Sequence, residues 1–275
     1  MTFLSRWLRL QPGEGSRAGW MVLYSLAAVG GVIITGSLVG RALFLSALPA
    51  EAIPYKYLLP PLVLIVVSAL YARLAARWSR PRLIYIVCVL SAVGILSTRW
   101  LLSVESHSFT LLCGLYVFID VISALVILQF WTFAGDLFTA REARRVFPLI
   151  TAGSTLSNLV FGLGLSAVAS SVDPGDLLLI MVGSLVVIAG VTVRLAPETI
   201  SASTDNESRQ SRPPSRIDLR THPLLPTIAG LVLLVTIISN IADYQLDLAL
   251  QRHYGDDGRG MLAFLGSFRF WSGLG

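Results

Sequence analysis

An ionisable side chain inside a long apolar run is the most informative feature of this 275-residue sequence. Asp120 is the clearest case, about twelve residues into such a run, or roughly 18 Å along a helix. A charge in hydrocarbon costs about 2.5–3.5 kcal/mol on insertion scales, so it faces a bundle interior or a wet cavity. Asp120 is therefore either a site carboxylate near a bilayer midplane or a group neutralised by an arginine or a proton. Arg41 and Arg99 lie near the ends of other apolar runs. Each either snorkels to the headgroups or meets Asp120 or an anionic ligand, because a planar guanidinium grips carboxylate or phosphate through two parallel hydrogen bonds.

Other polar residues interrupt apolar sequence in the same way. Asn158 suits an interhelical hydrogen bond, worth about 0.6–2 kcal/mol, or a ligand contact. Asn240 and Asp243 are three residues apart and share a helix face, with Gln245 close by. Gln129, Trp131 and Asp136 step toward the end of one run, and Arg141, Glu142, Arg144 and Arg145 follow directly. Those charges form either a gate network with Asp136 or a simple positive anchor. No phosphate-binding glycine loop and no His-Glu-x-x-His occurs, and His107, His222 and His253 are far apart, so neither an enzyme nor ATP hydrolysis is expected. Cys88 and Cys113, inside apolar runs, read as small hydrophobes. No zinc spacing or disulfide framework exists, and no metal or cofactor is implied.

These residues need elements to position them, and composition names the kind. Hydrophobic residues make up 55% of the chain and charged ones 13%, with a mean hydropathy of +0.73. Soluble domains carry roughly 25% charged residues. The apolar residues come in unbroken runs such as Tyr57 to Leu70 and Leu177 to Val193, not in alternating segments, which excludes a barrel and predicts a polytopic all-α bundle in the lipid bilayer. At about 20 residues per crossing, spans are expected over about Gly19 to Phe44, Tyr55 to Arg77, Arg82 to Leu102, Ser108 to Ala134, Val146 to Ala169, Gly175 to Val193 and Leu224 to Leu250. An eighth opens at Met261.

The breaks have local causes. Pro49 and Pro54 fix the first turn, the stretch from Trp78 to Arg82 the second, and Asp173-Pro174-Gly175 the corner before the sixth span. Thr139 with Glu142 three residues on has capping-box spacing, which predicts a short ordered helix between the fourth and fifth spans. Gly36 to Gly40 fits a small-xxx-small pattern that lets the first helix pack closely. Loop charges set the orientation: fifteen arginines fall on one side, against Arg41, Lys56, Arg99, Arg252 and Arg259 on the other. The N-terminus is therefore expected in the cytoplasm of a cell whose inner membrane holds the chain. The basic residues gather on no soluble face, so nucleic acid is not an expected partner.

Four regions follow. Residues 1–18 read as a cytoplasmic interfacial segment, 19–196 as six transmembrane helices, 197–222 as a disordered cytoplasmic linker, and 223–275 as the start of a second transmembrane half. The sequon Asn206-Glu207-Ser208 falls in the linker and reads as bland. Six helices, a linker and further helices is the arrangement of a major-facilitator-type transporter, two halves rocking about a central site. By that count the chain holds one half and the first helices of another, and is not expected to transport by itself.

The stretch from Phe130 to Ile150 gives this a sharper form. Its aromatic pair Phe130-Trp131, the polar Asp136 at the membrane edge, and Glu142-Ala143 followed by Arg144, Arg145 and Phe147 resemble the region between helices 4 and 5 in the ATP/ADP translocase family of bacteria and plastids. Arg41 to Ser46 with Leu48-Pro49 resembles the end of helix 1 in that family, and Asp243-Tyr244-Gln245 a motif of helix 7. The resemblance implies a major-facilitator-like antiporter carrying nucleotides or other organic anions by alternating access, with Arg41 on substrate phosphate. Two departures stand beside it. The Gly-x-x-x-Asp-Arg-x-Gly-Arg loop of major facilitators has Ala72, Ala76, Arg77, Ser79 and Arg80 at its matching positions. Family members also use lysines on substrate, whereas the one lysine here, Lys56, is expected in an outer loop. The alternative is a non-transporting, translocase-like module that anchors or regulates attached cytoplasmic domains.

Overall fold

A computed structural model describes residues 14–104, 108–207 and 224–274. The expected interfacial segment up to residue 13, most of the linker, and His107 and His222 lie outside the described residues. Every described element is a helix, and seven helices are long and apolar enough to cross a membrane. The chain is a polytopic all-α bundle, a multi-pass membrane protein.

The first helix, α1, runs over residues 14–47 as an α-helix at Glu14–Ser25, a π-helical stretch at Leu26–Ile34 and an α-helix at Thr35–Ala47. It is the core of the bundle, with 67% of its most apolar window buried. Small residues allow this. A Cβ at Gly36 would stand 2.8 Å from Ile119 Cγ2, and one at Gly40 3.1 Å from Ile119 Cδ1, so the expected close packing of this helix is found. Gly30 and Gly31 sit within the π-helical stretch, where an added Cβ would overlap the Phe161 ring and the Ser184 side chain respectively. Thr35 closes the wide turns by donating to the Gly30 carbonyl at 2.9 Å. Glycine pairs are where helical ladders widen or kink at low cost.

The remaining helices are α2 (Ile53–Ala75), α3 (Arg80–Val104), α4 (Phe109–Leu137), α5 (Ala140–Val168), α6 (Pro174–Glu207), α7 (Leu224–Tyr254) and α8 (Gly258–Ser272). They alternate direction. One end of the bundle therefore carries the arginine-rich turns, and the other carries the α1–α2, α5–α6 and α7–α8 corners. Gly255, with φ of 53°, sits at the last of these corners, in the left-handed region that glycine enters without a Cβ penalty. Asp257 then caps α8, accepting from the Gly260 N–H at 2.9 Å.

Three expectations about elements need correction. The separate helix between the fourth and fifth spans does not exist. Thr139 and Glu142 do form the capping box, with the Thr139 N–H donating to Glu142 Oε2 at 2.8 Å, but the helix they open is α5 itself. It runs through Pro148, whose missing N–H costs the helix one hydrogen bond. Helix α6 continues to Glu207, into the segment read as linker, because propagating a nucleated helix costs far less per residue than starting one. Lys56 is not in a loop: it lies in the first turn of α2, and it is buried.

Helices α5 and α8 touch backbone to backbone. A Cβ at Gly162 would stand 2.9 Å from the Phe270 nitrogen, and one at Gly266 2.8 Å from the Gly162 carbonyl oxygen. Ser166 and Ser267 share a hydrogen bond at 2.8 Å across the same crossing. Helix α7 behaves differently, since every residue from 226 to 243 is exposed and its contact with the bundle begins near Tyr244.

Candidate functional site

The polar stripe of α7 meets the bundle at the arginine-poor end. Asp247, whose side chain is 0% exposed, accepts from three donors on two other helices. Arg41 Nε of α1 donates to Oδ1. Lys56 Nζ and the Tyr57 hydroxyl of α2 both donate to Oδ2, at 2.5 and 2.7 Å. Arg41 also reaches Asp243, one turn earlier on α7, with Nη2 3.3 Å from Oδ1. Two cations and two carboxylates thus close a neutral cluster. Its wall is aromatic: Lys56 Nζ lies 5.3 Å from the Tyr57 ring centre and 5.2 Å from that of Tyr116 on α4.

Local sequence explains each position. Pro54 starts α2 within the first two helical positions, which leaves Lys56 and Tyr57 one turn in. Asp243, Asp247 and Gln251 fall at i, i+4 and i+8 and so share a face. Gln251 Nε2 donates to the Leu48 carbonyl at 2.6 Å and the Leu45 carbonyl at 3.3 Å, satisfying free carbonyls at the end of α1. The corner is tightened further by α8, where a Cβ at Gly258 would stand 3.0 Å from Ser46 Oγ. In membrane surroundings a buried charge that loses its partner costs far more than one that keeps it. The cluster therefore acts as a latch that joins α7 to α1 and α2 at one end only.

The expected site residues divide among several places. Arg41 and Asp243 belong to the latch, and the carboxylate that Arg41 meets is Asp247, not Asp120. Asp120 stands exposed on α4, one turn beyond Tyr116, and makes no ion pair among the described residues. Arg99 pairs with Asp176 of α6 at 2.6 Å, on the α3–α6 side. The Asn158 amide donates to the Ser154 carbonyl of its own helix at 3.2 Å and makes no interhelical hydrogen bond among the described residues; its Cβ instead marks the close approach of Gly273. Asn240 likewise donates within its own helix, to Thr236, and is exposed.

At the arginine-rich end, among the described residues, Asp136 and Glu142 take different partners. Asp136 pairs with Arg80 at the start of α3. Glu142 uses its carboxylate on the Thr139 N–H and hydroxyl, at 2.8 Å each. Arg141 and Arg144 are exposed and Arg145 is half-buried.

The residues that the sequence reading did not single out are Asp247, Lys56 and Tyr57. The signal for Asp247 was the four-residue repeat Asp243, Asp247, Gln251 along a largely apolar helix, and Lys56 and Tyr57 had no comparable pattern. The arrangement offers a guanidinium and an ammonium side by side, balanced by carboxylates on a helix that is otherwise free of the bundle. That is a cation pair with internal counter-ions. Comparison of the chain with protein families, with characterised proteins and with solved structures finds no match.

Proposed function

We propose that this chain is part of a major-facilitator-type carrier, similar to ATP/ADP antiporters, that moves nucleotides or other organic anions by alternating access. The observation that carries the reading is the burial of Asp247 between Arg41 and Lys56, while residues 228–243 of the same helix are exposed. A helix latched at one end and free at the other is the geometry of a gate closed on one side of the membrane. With the arginine-rich end in the cytoplasm, as the positive-inside rule expects, the closed side is the outer one.

In this reading Asp243 and Asp247 occupy the cations until substrate arrives. A phosphate competing for Arg41 and Lys56 releases α7, and binding is thereby coupled to opening. Ligands shift a conformational equilibrium only by their differential affinity for the two states, and competition between substrate anion and carboxylate supplies that difference. Asp120, exposed on α4 near the cluster, lies on the substrate path. No residue is assigned a catalytic role.

The test is exchange of labelled ATP against internal ADP in proteoliposomes that hold the full natural chain. Exchange lost in Arg41→Gln and in Lys56→Met, with both variants folded, is the expected result. Absence of exchange with nucleotides and with other organic anions, in a folded wild-type protein, overturns the carrier reading in favour of an anchoring module.

A further inference from the structure

We infer that the crevice between α2 and α3 is a binding site for an anionic phospholipid. Helices α2 and α3 are joined by a short turn but diverge from it, and α4 forms the floor between them. The result is a cavity of about 710 Å³. Its walls are apolar: Leu59, Val67 and Leu74 stand on α2, Val87 and Leu90 on α3, and Val117 on α4. From Leu59 to Leu74 the wall extends about 22 Å at 1.5 Å per residue, more than the half of a ~30 Å hydrocarbon core that one leaflet's chains occupy.

An apolar void of this size cannot stay empty in a bilayer, since its lining would forgo contact with any partner atoms. Lipid chains are the material at hand. The headgroup preference comes from the closed end of the crevice. Leu70 and Leu74 lie along the α2 wall, and the exposed Arg73, in the last turn of α2, and the exposed Arg77, just past its end, stand at that end of the wall. Arg80 and Arg82 follow at the start of α3, so that four arginines and no acidic residue fall between positions 73 and 82. Arg82 is steadied over the Trp78 ring at 5.7 Å. Asp136 offsets Arg80 alone. Arg73 and Arg77 are thus placed to hold a phosphate at the closed end of a chain-sized groove, and basic pockets between transmembrane helices are where anionic headgroups bind.

Native mass spectrometry of the purified full chain, titrated with phosphatidylglycerol or phosphatidylcholine of identical chains, tests this. The expected result is one phosphatidylglycerol retained where phosphatidylcholine is lost. The double variant Arg73→Gln, Arg77→Gln is expected to weaken phosphatidylglycerol binding about thirtyfold, the combined effect of two arginines near an anionic lipid. Gly114→Leu adds bulk to the groove floor at a position where nothing lies within 4 Å of a Cβ, and is expected to abolish retention of phosphatidylglycerol with the arginines intact. Equal retention of the two lipids overturns the proposal, as does unaltered phosphatidylglycerol binding in Gly114→Leu. Displacement of the lipid by millimolar inorganic phosphate also overturns it, since the arginines would then bind a free anion with no role for the groove.

Discussion

Asp247→Asn keeps the volume of the latch and removes the one charge that faces both Arg41 and Lys56. Lys56 Nζ, 2.5 Å from the carboxylate and 4% exposed, is left in a buried site with two aromatic rings and an amide. Removing one partner of a buried pair typically costs about 3–5 kcal/mol. The lower end applies here, because Asp243 at 3.3 Å still faces Arg41 and is itself half-exposed. About 3 kcal/mol corresponds to roughly a hundredfold shift from latched to open.

Opening is read at Ser46, which is half-buried where α8 crosses the end of α1. Ser46→Cys, in a chain with Cys88→Ala and Cys113→Ala, is modified by a membrane-impermeant maleimide at a rate set by the open population. Asp247→Asn is expected to raise that rate about a hundredfold. Adding Lys56→Met should return it most of the way, since the stranded ammonium is then gone and two apolar contacts replace it. A labelling rate that Asp247→Asn leaves unchanged would refute the latch, and so would a double variant faster than the single.

Other expectations are separate from the latch. Gly31→Ala should lower stability by about 1–3 kcal/mol through overpacking, seen as a fall in Tm in detergent, and Ser184→Gly should restore it where Ser184→Ala does not, because the serine Cβ as well as Oγ occupies the space. Thr139→Ala removes one side of the capping box and should cost about 1 kcal/mol, with amide exchange rising only in the first turn of α5. Arg99→Gln breaks a partly exposed pair with Asp176 and should change Tm little, an ion pair of that kind being worth about 0–1 kcal/mol. Asp120→Asn should leave Tm unchanged and reduce substrate exchange, as a residue exposed on the substrate path would.

Much of the fold was legible because bilayer thickness dictates element length. Each expected span contains an observed helix, and the Thr139 capping box and the Gly36 to Gly40 packing face follow from side-chain size and spacing alone. Helix ends were less legible: α5 begins about six residues before Val146, because a capping box can open a helix whose first turns are polar. The latch was only half visible. Arg41 and Asp243 stand out as charges in apolar sequence, but Lys56 and Asp247 lie near segment ends, where a charge reads as interfacial. Arg41 and Asp247 are 206 positions apart, and no local pattern encodes that pairing. Asp120 drew attention by its depth, yet depth along one helix does not say which neighbour a side chain faces.

The charge count of the latch bears on what kind of carrier it would serve. Arg41 and Lys56 are balanced by Asp243 and Asp247, so the closed cluster is neutral, and pulling α7 away without a ligand strands two cations near hydrocarbon. A bound phosphate group removes that penalty by taking the place of the carboxylates. Opening while empty is then the costly route, and opening with an anion bound is the cheaper one. Such an asymmetry couples each reorientation to a bound anion and therefore favours exchange over net flux. A measurement that separates the two is uptake of labelled anion into vesicles with and without internal anion. Strong dependence on internal anion is expected in the wild type. In Asp247→Asn the cations are unbalanced in both states, so the dependence should weaken as the closed state loses its advantage. Uptake equally fast into empty vesicles, with the latch intact, would mean that the cluster anchors α7 without governing its movement.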